Sequence, residues 1–359
     1  MSLTAEQQDL RDAVRGLLAS VGATAGSMAG DSAWPRLFAE VGVGGLGIPE
    51  RFGGSGGGAA EVGVVMEELG RELVPSPMLG STVLAAQAVL ASGDEAACER
   101  LLPGIADGSV AAALAWATPA GRWDGGDVGC VCRDGGEAYY ALDGEAHYVL
   151  DGDAARVLLV AAREPAGVGL FEVDAGQDGV SRTASVTMDQ ARPLAVVRLA
   201  GARGRRIGGD AAGALERARD LACLALAAEQ AGAARRALEL TTEYALTRVQ
   251  FGRVIGGFQA LQHRLADLHV LVESATSLAR VAAAEEDGAG LGLRAAAAKV
   301  YCCEAAMRAA GEMIQLHGAI GITWEHPAHR YLKRAHGSLH LFGGPSQHTA
   351  LVAASVVDR

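Results

Sequence analysis

The chain has 359 residues, half of them apolar, six cysteines and a formal net charge of -11; that length suits two or three domains with ample core, and the acidic balance argues against nucleic acid as the main partner. The opening MSLTAEQQDLRDAVRGLLAS lacks the basic start, apolar run and cleavage site of a signal peptide, and no uncharged apolar stretch approaches the ~20 residues of a membrane span. Cys98, Cys130, Cys132, Cys223, Cys302 and Cys303 form no CxxC pair, so zinc and disulfides are disfavoured and a reducing cytoplasm is expected.

Residues 1–115 read as a helical domain. AEQQDLRDAVRGLLASV has helical apolar spacing with Thr4 as N-cap. PERFGGSGGG (49–58) is a glycine-rich turn, but it has no GxxxxGK[ST] and follows no clear strand, so a phosphate loop is disfavoured. AAEVGVVMEELGRELV then returns to helix. Over 116–208 the texture changes to short runs such as CVCRDGGEAYYALDGEAHYVLDG, ARVLLVAAR, VGLFEVDA and PLAVVRLAG, punctuated by Asp-Gly and Gly-Gly. These predict an antiparallel β domain of six to eight strands. Residues 209–359 are Ala-rich and predict long helices over 211–248, 257–287, 293–318 and 325–341, packed as a bundle. The expected class is α+β, in the order helical, β, helical.

TRVQFGRVIGGFQ (247–259) interrupts the bundle. Arg248 offers a rigid fork of donors suited to phosphate or carboxylate, Gly252 permits close backbone approach, and Phe251 could cover a flat ring. The plainer alternative is a surface arginine favouring a helix C-terminus.

The wider pattern YALTRVQFGRVIGGFQALQHRLAD (244–267) resembles YAxxRxQFGxxIxxFQxxxxxLAD of the acyl-CoA dehydrogenase family. GIPERFGGSG resembles the family's PExxGGxG turn, EVGVVMEELGRELVPSP its next helix, and QLHGAIGITWEHPAHRYLKRA (315–335) its QxxGGxGxxxExPxxRxxRDA segment. The resemblance spans the chain and implies an N-terminal helical domain, a central antiparallel β-barrel-like domain and a C-terminal four-helix bundle. It implies FAD-dependent α,β-dehydrogenation of an acyl-CoA thioester, tetrameric assembly and an electron-accepting flavoprotein partner. Arg248, Gln250, Phe251, Gly252, Phe258, Gln315 and Gly318 are implied to contact FAD held largely by a neighbouring subunit.

Three family motifs are altered. TEPxxGSD is ATPAGRWD (117–124), and GxKxWITNG is GEAHYVLDG (144–152), with Tyr148 for Trp and Leu150 for Thr. IYEGTS, which carries the catalytic glutamate, is LFGGPS (341–346), with Gly343 at the base position. The other position used in the family corresponds to Ala222. Asp220 lies roughly 200° around a helix from Ala222, and Glu229 about 10 Å along it, so both are poor substitutes. No catalytic residue is therefore expected. The retained clamp and lost base suggest a base-less subunit that completes a homologous partner's FAD site. The alternatives are a self-sufficient homotetramer with an unusual base, or a non-catalytic acyl-CoA- or protein-binding scaffold. By resemblance, heteromeric members handle bulky polycyclic or branched acyl-CoAs.

His336 and His340 share an i, i+4 face that could bind metal, but no third ligand joins them and a bland polar surface is favoured. RGRRIGGD (203–210 region) is a basic loop that could meet a CoA phosphate, with a solvated turn preferred. Cys302 and Cys303 read as core.

Overall fold

The structure is a computed structural model that describes residues 2–25, 30–134, 139–209, 211–286 and 289–357. Helix α1 (Ala5–Ser20) starts at a capping box: Thr4 accepts from the Gln7 backbone, and the Gln7 side chain accepts from the Thr4 N–H. There follow α2 (Gly30–Arg36), α3 (Ala59–Glu72), a wide-turned segment Met78–Ala85 running into α4 (Ala86–Ala91), and α5 (Glu95–Ala106). Seven strands come next: β1 (Ala112–Ala115), β2 (Cys130–Asp134), β3 (Tyr140–Leu150), β4 (Val157–Glu164), β5 (Gly167–Asp174), β6 (Val180–Ala184) and β7 (Leu194–Ile207). The remainder is α6 (Ala211–Thr247), a two-residue hairpin pair β8 (Val249–Gln250) and β9 (Arg253–Val254), α7 (Gln259–Ala284), α8 (Leu291–His317), α9 (Ala328–His340) and α10 (Pro345–Val357).

The chain divides into two compact units, and it passes between them more than once, within α3 and within α6. One unit comprises Trp34–Val62 and Ser76–Cys223. Its strands close into a barrel: β4 pairs β5, β5 pairs the end of β7, β7 pairs β3, β3 pairs β2, and β2 returns to β4. The interior is filled by Leu142, Val149, Leu158, Val160, Phe171 and Val197. These positions alternate with exposed ones along β3 and β7, as a one-sided strand requires. β1 and β2 both pair β4 in parallel, so the barrel is mixed where hairpin signals alone predicted antiparallel order. The physical reason is connectivity: the long segment between β1 and β2 lets both lie in the same direction along one edge of β4.

The other unit comprises Met1–Ala33, Gly63–Pro75 and Leu224–Arg359. Alanines at helix contacts let backbones approach closely, and Ala233, Ala234, Ala237, Ala306, Ala309 and Ala310 sit in one buried cluster with Leu268, Val272, Met313 and Tyr331. α3 crosses α6 at two glycines: a Cβ on Gly70 would lie 2.1 Å from the Glu229 carbonyl oxygen, and one on Gly232 1.9 Å from that of Glu67. Partly buried ion pairs accompany this crossing, Arg280 with Glu67, Arg15 with Glu68, and Arg71 with Glu239.

The long predicted helices correspond to α6, α7, α8 and α9 with ends shifted by up to three residues, α8 starting earlier, at Leu291; 287 and 288 lie outside the described residues. α10 was not predicted. Its signal is Pro345 at the first helical position followed by TALVAASVV. The Gly-Gly turn at 135–136 also lies outside the described residues.

Candidate functional site

The corner after α6 is a tight hairpin. Phe251 and Gly252 occupy its turn with φ +53° and +77°, the two left-handed positions of a type I′ turn. Glycine suits this; phenylalanine does not, and its ring is 90% exposed. The Arg248 N–H continues the helix by donating to the Tyr244 carbonyl, and its carbonyl accepts from Ile255 N–H. Its side chain is left exposed, with no hydrogen bond or ion pair among the described residues. A guanidinium held at a rigid corner with no carboxylate partner fits an anion from outside this chain, such as a pyrophosphate. Gln250 is exposed beside it, its amide turned only to the Val249 carbonyl. Phe258 lies edge-on to Phe251 at 6.1 Å and under the Arg253 guanidinium at 3.9 Å, so it braces the hairpin. Arg253 and Tyr244 were not singled out from the sequence as site residues.

Tyr244 joins this corner to the end of α8. Its ring stacks on His317 at 4.3 Å, and its hydroxyl donates to the His317 carbonyl at 3.5 Å. Gln315 and Gly318, both exposed, flank His317. Gly318 terminates α8 at φ +64°. The structure thus gathers Arg248, Gln250, Phe251, Gly252 and Phe258 in one hairpin corner, and Tyr244 ties Gln315 and Gly318 to it. His317 donates through Nδ1 to the Met313 carbonyl (2.7 Å) and packs against His326 with the rings tilted, 4.3 Å apart. Burial pushes both imidazoles below the ordinary histidine value, so they are neutral at pH 7.

Neither expected base position carries a carboxylate. Ala222 is fully buried in α6. Gly343 follows Phe342 in a turn where both are left-handed, φ +60° and +107°. A Cβ at 343 would lie 2.9 Å from Gln347 Oε1 and 3.0 Å from His348 Nε2, and that Nε2 bonds the Phe342 carbonyl at 3.0 Å. The space a side chain would need is therefore taken by the imidazole. The two neighbouring acids are also engaged: Glu229 pairs with buried Arg334 at 2.7 Å, and Asp220 pairs with Arg219 at 3.0 Å, burial raising its pKa.

In the barrel unit the two altered motifs meet. His147 N–H donates to the Ala117 carbonyl at 2.9 Å, and the Tyr148 hydroxyl donates to the Pro119 carbonyl at 3.2 Å. Trp123 packs between Trp116 (5.8 Å, edge-on) and Tyr148 (6.2 Å). Leu150, the last residue of β3, is buried. Asp151, at the family's Asn position and at φ +53°, approaches Gly80; burial pushes its carboxyl up to about 7. This surface does not fit an isoalloxazine ring: it is apolar where the family pattern carries hydroxyls. Trp116, Trp123 and Asp151 went unnoticed in the sequence as a group. The available signal was two tryptophans bracketing ATPAGRWD.

The remaining candidates are structural. In the 49–58 turn Gly54 serves close packing, since a Cβ there would lie 2.0 Å from the Ile48 carbonyl oxygen, while Gly53, Gly56 and Gly57 take positive φ. In the basic loop Arg206 pairs with Glu164. His336 and His340 face each other at 5.7 Å, with no three-ligand metal cluster among the described residues. Cys302 and Cys303 are buried in α8. No helix among the described residues is long and apolar enough to cross a membrane.

Comparisons with known proteins agree with this layout. Residues 4–109 match the family described as acyl-CoA dehydrogenase, N-terminal domain, and residues 211–357 its C-terminal domain. The chain is 39% identical over 350 residues to acyl-CoA dehydrogenase IpdE2 of Mycobacterium tuberculosis, covering 95% of this chain and 94% of that one. It superposes on the ChsE4-ChsE5 complex from Mycobacterium tuberculosis with a TM-score of 0.89, 28% identity and coverage of 100% and 99%. It superposes on the Tcur3481-Tcur3483 steroid ACAD with a TM-score of 0.85, 31% identity and 98% coverage of each. On its fold, its motifs and these relatives, this chain belongs to the acyl-CoA dehydrogenase family, whose members are oxidoreductases.

Proposed function

We propose that this chain is the base-less subunit of a heteromeric, FAD-dependent acyl-CoA dehydrogenase, and that it completes the FAD site of a homologous, base-bearing partner. One observation carries this reading: the Arg248 corner is intact and faces outward without a carboxylate partner, while Gly343 and Ala222 leave both base positions empty of carboxylates. A subunit that had lost all function would have no reason to keep an anion clamp in a strained hairpin.

In the assembly, Arg248 and Gln250 hold the pyrophosphate, Phe251 and Phe258 cover its flank, and Gln315 and Gly318 contribute from the end of α8. FAD, when bound, supplies the two-electron acceptor for α,β-dehydrogenation. The α-proton is taken by a carboxylate of the partner, since this chain offers none at either position. The relatives named for a steroid ACAD and for a two-protein complex support a bulky, polycyclic acyl-CoA thioester as substrate and a heteromeric assembly. The electron acceptor is a flavoprotein, and the compartment is the cytoplasm.

The test is flavin absorbance per chain. The purified chain with saturating FAD is compared with the same chain co-expressed with a base-bearing family member from the same genome. Flavin retained only in the co-expressed complex is the expected result. A chain that alone holds flavin and dehydrogenates an acyl-CoA overturns the reading.

A further inference from the structure

The barrel surface formed by the two altered motifs is closed in a specific way. The turn 118–122 satisfies itself: Thr118 N–H donates to the Arg122 carbonyl (3.3 Å), Gly121 N–H to the Thr118 carbonyl (2.9 Å), and Arg122 N–H to the Thr118 hydroxyl (3.4 Å). The N–H groups of Thr118, Gly121 and Arg122 are therefore spent within the turn and are not offered to an anionic or carbonyl-rich ring. Tyr148 is held at φ +55° with its hydroxyl tied to Pro119, which fixes β3 against this turn. Trp123, only 7% exposed, fills the space between them and packs edge-on against Trp116.

Trp116 adds an independent sign. It is 2% exposed, and its Nε1 has no hydrogen-bond acceptor among the described residues. A buried donor without a partner is unfavourable, and a dedicated polar recognition site would have supplied the acceptor. The cluster is built for filling. It is also a poor stacking platform, because the Trp123 faces are buried and only Tyr148 presents part of its ring to solvent.

We infer that Trp123, wedged between Trp116 and Tyr148 over the self-bonded 118–122 turn, is a plug that closes this chain's own isoalloxazine position. The inference rests on the proposed function and adds its cause: the chain serves a flavin at its neighbour because it cannot seat one on its own barrel. Leu150 completes the closure by placing an apolar, buried side chain where the family pattern has a hydroxyl.

The full-length chain is titrated with FAD as wild type, Trp123→Phe and the double variant Trp123→Ser/Leu150→Thr. Tryptophan fluorescence and flavin absorbance are followed together, and far-ultraviolet circular dichroism checks folding. The double variant removes the wedge, restores a hydroxyl at 150 and uncovers Trp116 Nε1. Its FAD binding is expected to tighten at least about tenfold over wild type, with quenching of Trp116 fluorescence, while Trp123→Phe stays like wild type. A folded double variant no better than wild type overturns the plug but leaves the missing-base reading standing. Stoichiometric FAD on the wild-type chain without turnover does the same; FAD with turnover overturns both.

Discussion

Phe251 is costly for this chain to keep. A non-glycine residue at φ +53° carries about 1–3 kcal/mol of strain, and an exposed ring gains no burial in return. Such outliers persist where a site needs them, and Arg248, at the base of the same hairpin, is likewise left exposed. Replacing Arg248 by Ala is expected to weaken flavin retention in the assembled complex about 10–100-fold, the scale of a bidentate charge-assisted contact. Arg248→Lys should recover only part of this, because a point charge lacks the fork. Flavin release during gel filtration of the complex measures both. Equal retention in wild type and Arg248→Ala would show that the guanidinium holds something else.

Asp151 makes a separate prediction that needs no partner. Its carboxyl is raised from the ordinary aspartate value to about 7, burial being the main cause. The folded state therefore prefers the proton. The associated stability is full below about pH 4 and is lost as pH rises toward 7. Asp151→Asn cannot ionise and also tolerates the left-handed backbone better. It is expected to stabilise the chain by about 1–2 kcal/mol at pH 8 and by much less at pH 4. Thermal melts at the two pH values decide this; an equal gain at both would assign the effect to backbone alone.

At the scale of elements, the α3–α6 crossing is set by two glycines. Gly70 and Gly232 let each helix lie against the other's carbonyl oxygens, and no rotamer change could relieve an added methyl, because backbone blocks it. Gly232→Ala is expected to destabilise by about 1–3 kcal/mol or more, despite alanine's better helix propensity. A solvent-facing control, Gly311→Ala on α8, where a Cβ meets nothing, should be neutral or mildly stabilising. A chemical-denaturation midpoint that moved alike in both would remove the crossing as the cause. In the sequence these glycines read only as breaks in alanine-rich helices.

What could be read in advance follows from the range of the interactions. α6, α7, α8 and α9 were legible because helix propensity and periodicity are local, and the break between α6 and α7 at 247–259 because its residues lie within one short hairpin. The parallel edge of β4 was not legible: a strand's partner is chosen by distant chain connectivity, and Asp-Gly signals report only hairpins. α10 follows the glycine pair Gly343–Gly344 and opens on Pro345, and its short, mostly apolar run has little helical periodicity to mark it. Trp123 was visible as a departure from a motif, but its packing joins residues 116, 123 and 148. No local pattern reports that contact.

At the scale of the whole molecule, the question is whether one residue separates this chain from a complete enzyme. Restoring the acid at the family's base position is the direct trial, and Gly343→Glu is expected to fail. The backbone at 343 stands at φ +107°, which L side chains rarely adopt, and His348 and Gln347 occupy the space ahead of it. The carboxylate would either strain the Phe342–Gly343 turn, at about 1–3 kcal/mol, or be turned away from the position it should fill. A well-placed base is worth about 10²–10⁴-fold in rate, whereas this variant alone should gain less than about tenfold and melt at a lower temperature. Turnover of an acyl-CoA with an artificial electron acceptor, measured on the variant alone and beside its melting curve, tests both halves. Rapid turnover would mean that the barrel surface already seats a flavin and that only the base was missing. A poor turnover that becomes rapid when Trp123→Ser and Leu150→Thr are added would instead separate the two losses: one removed the proton acceptor, and the other closed the flavin's seat.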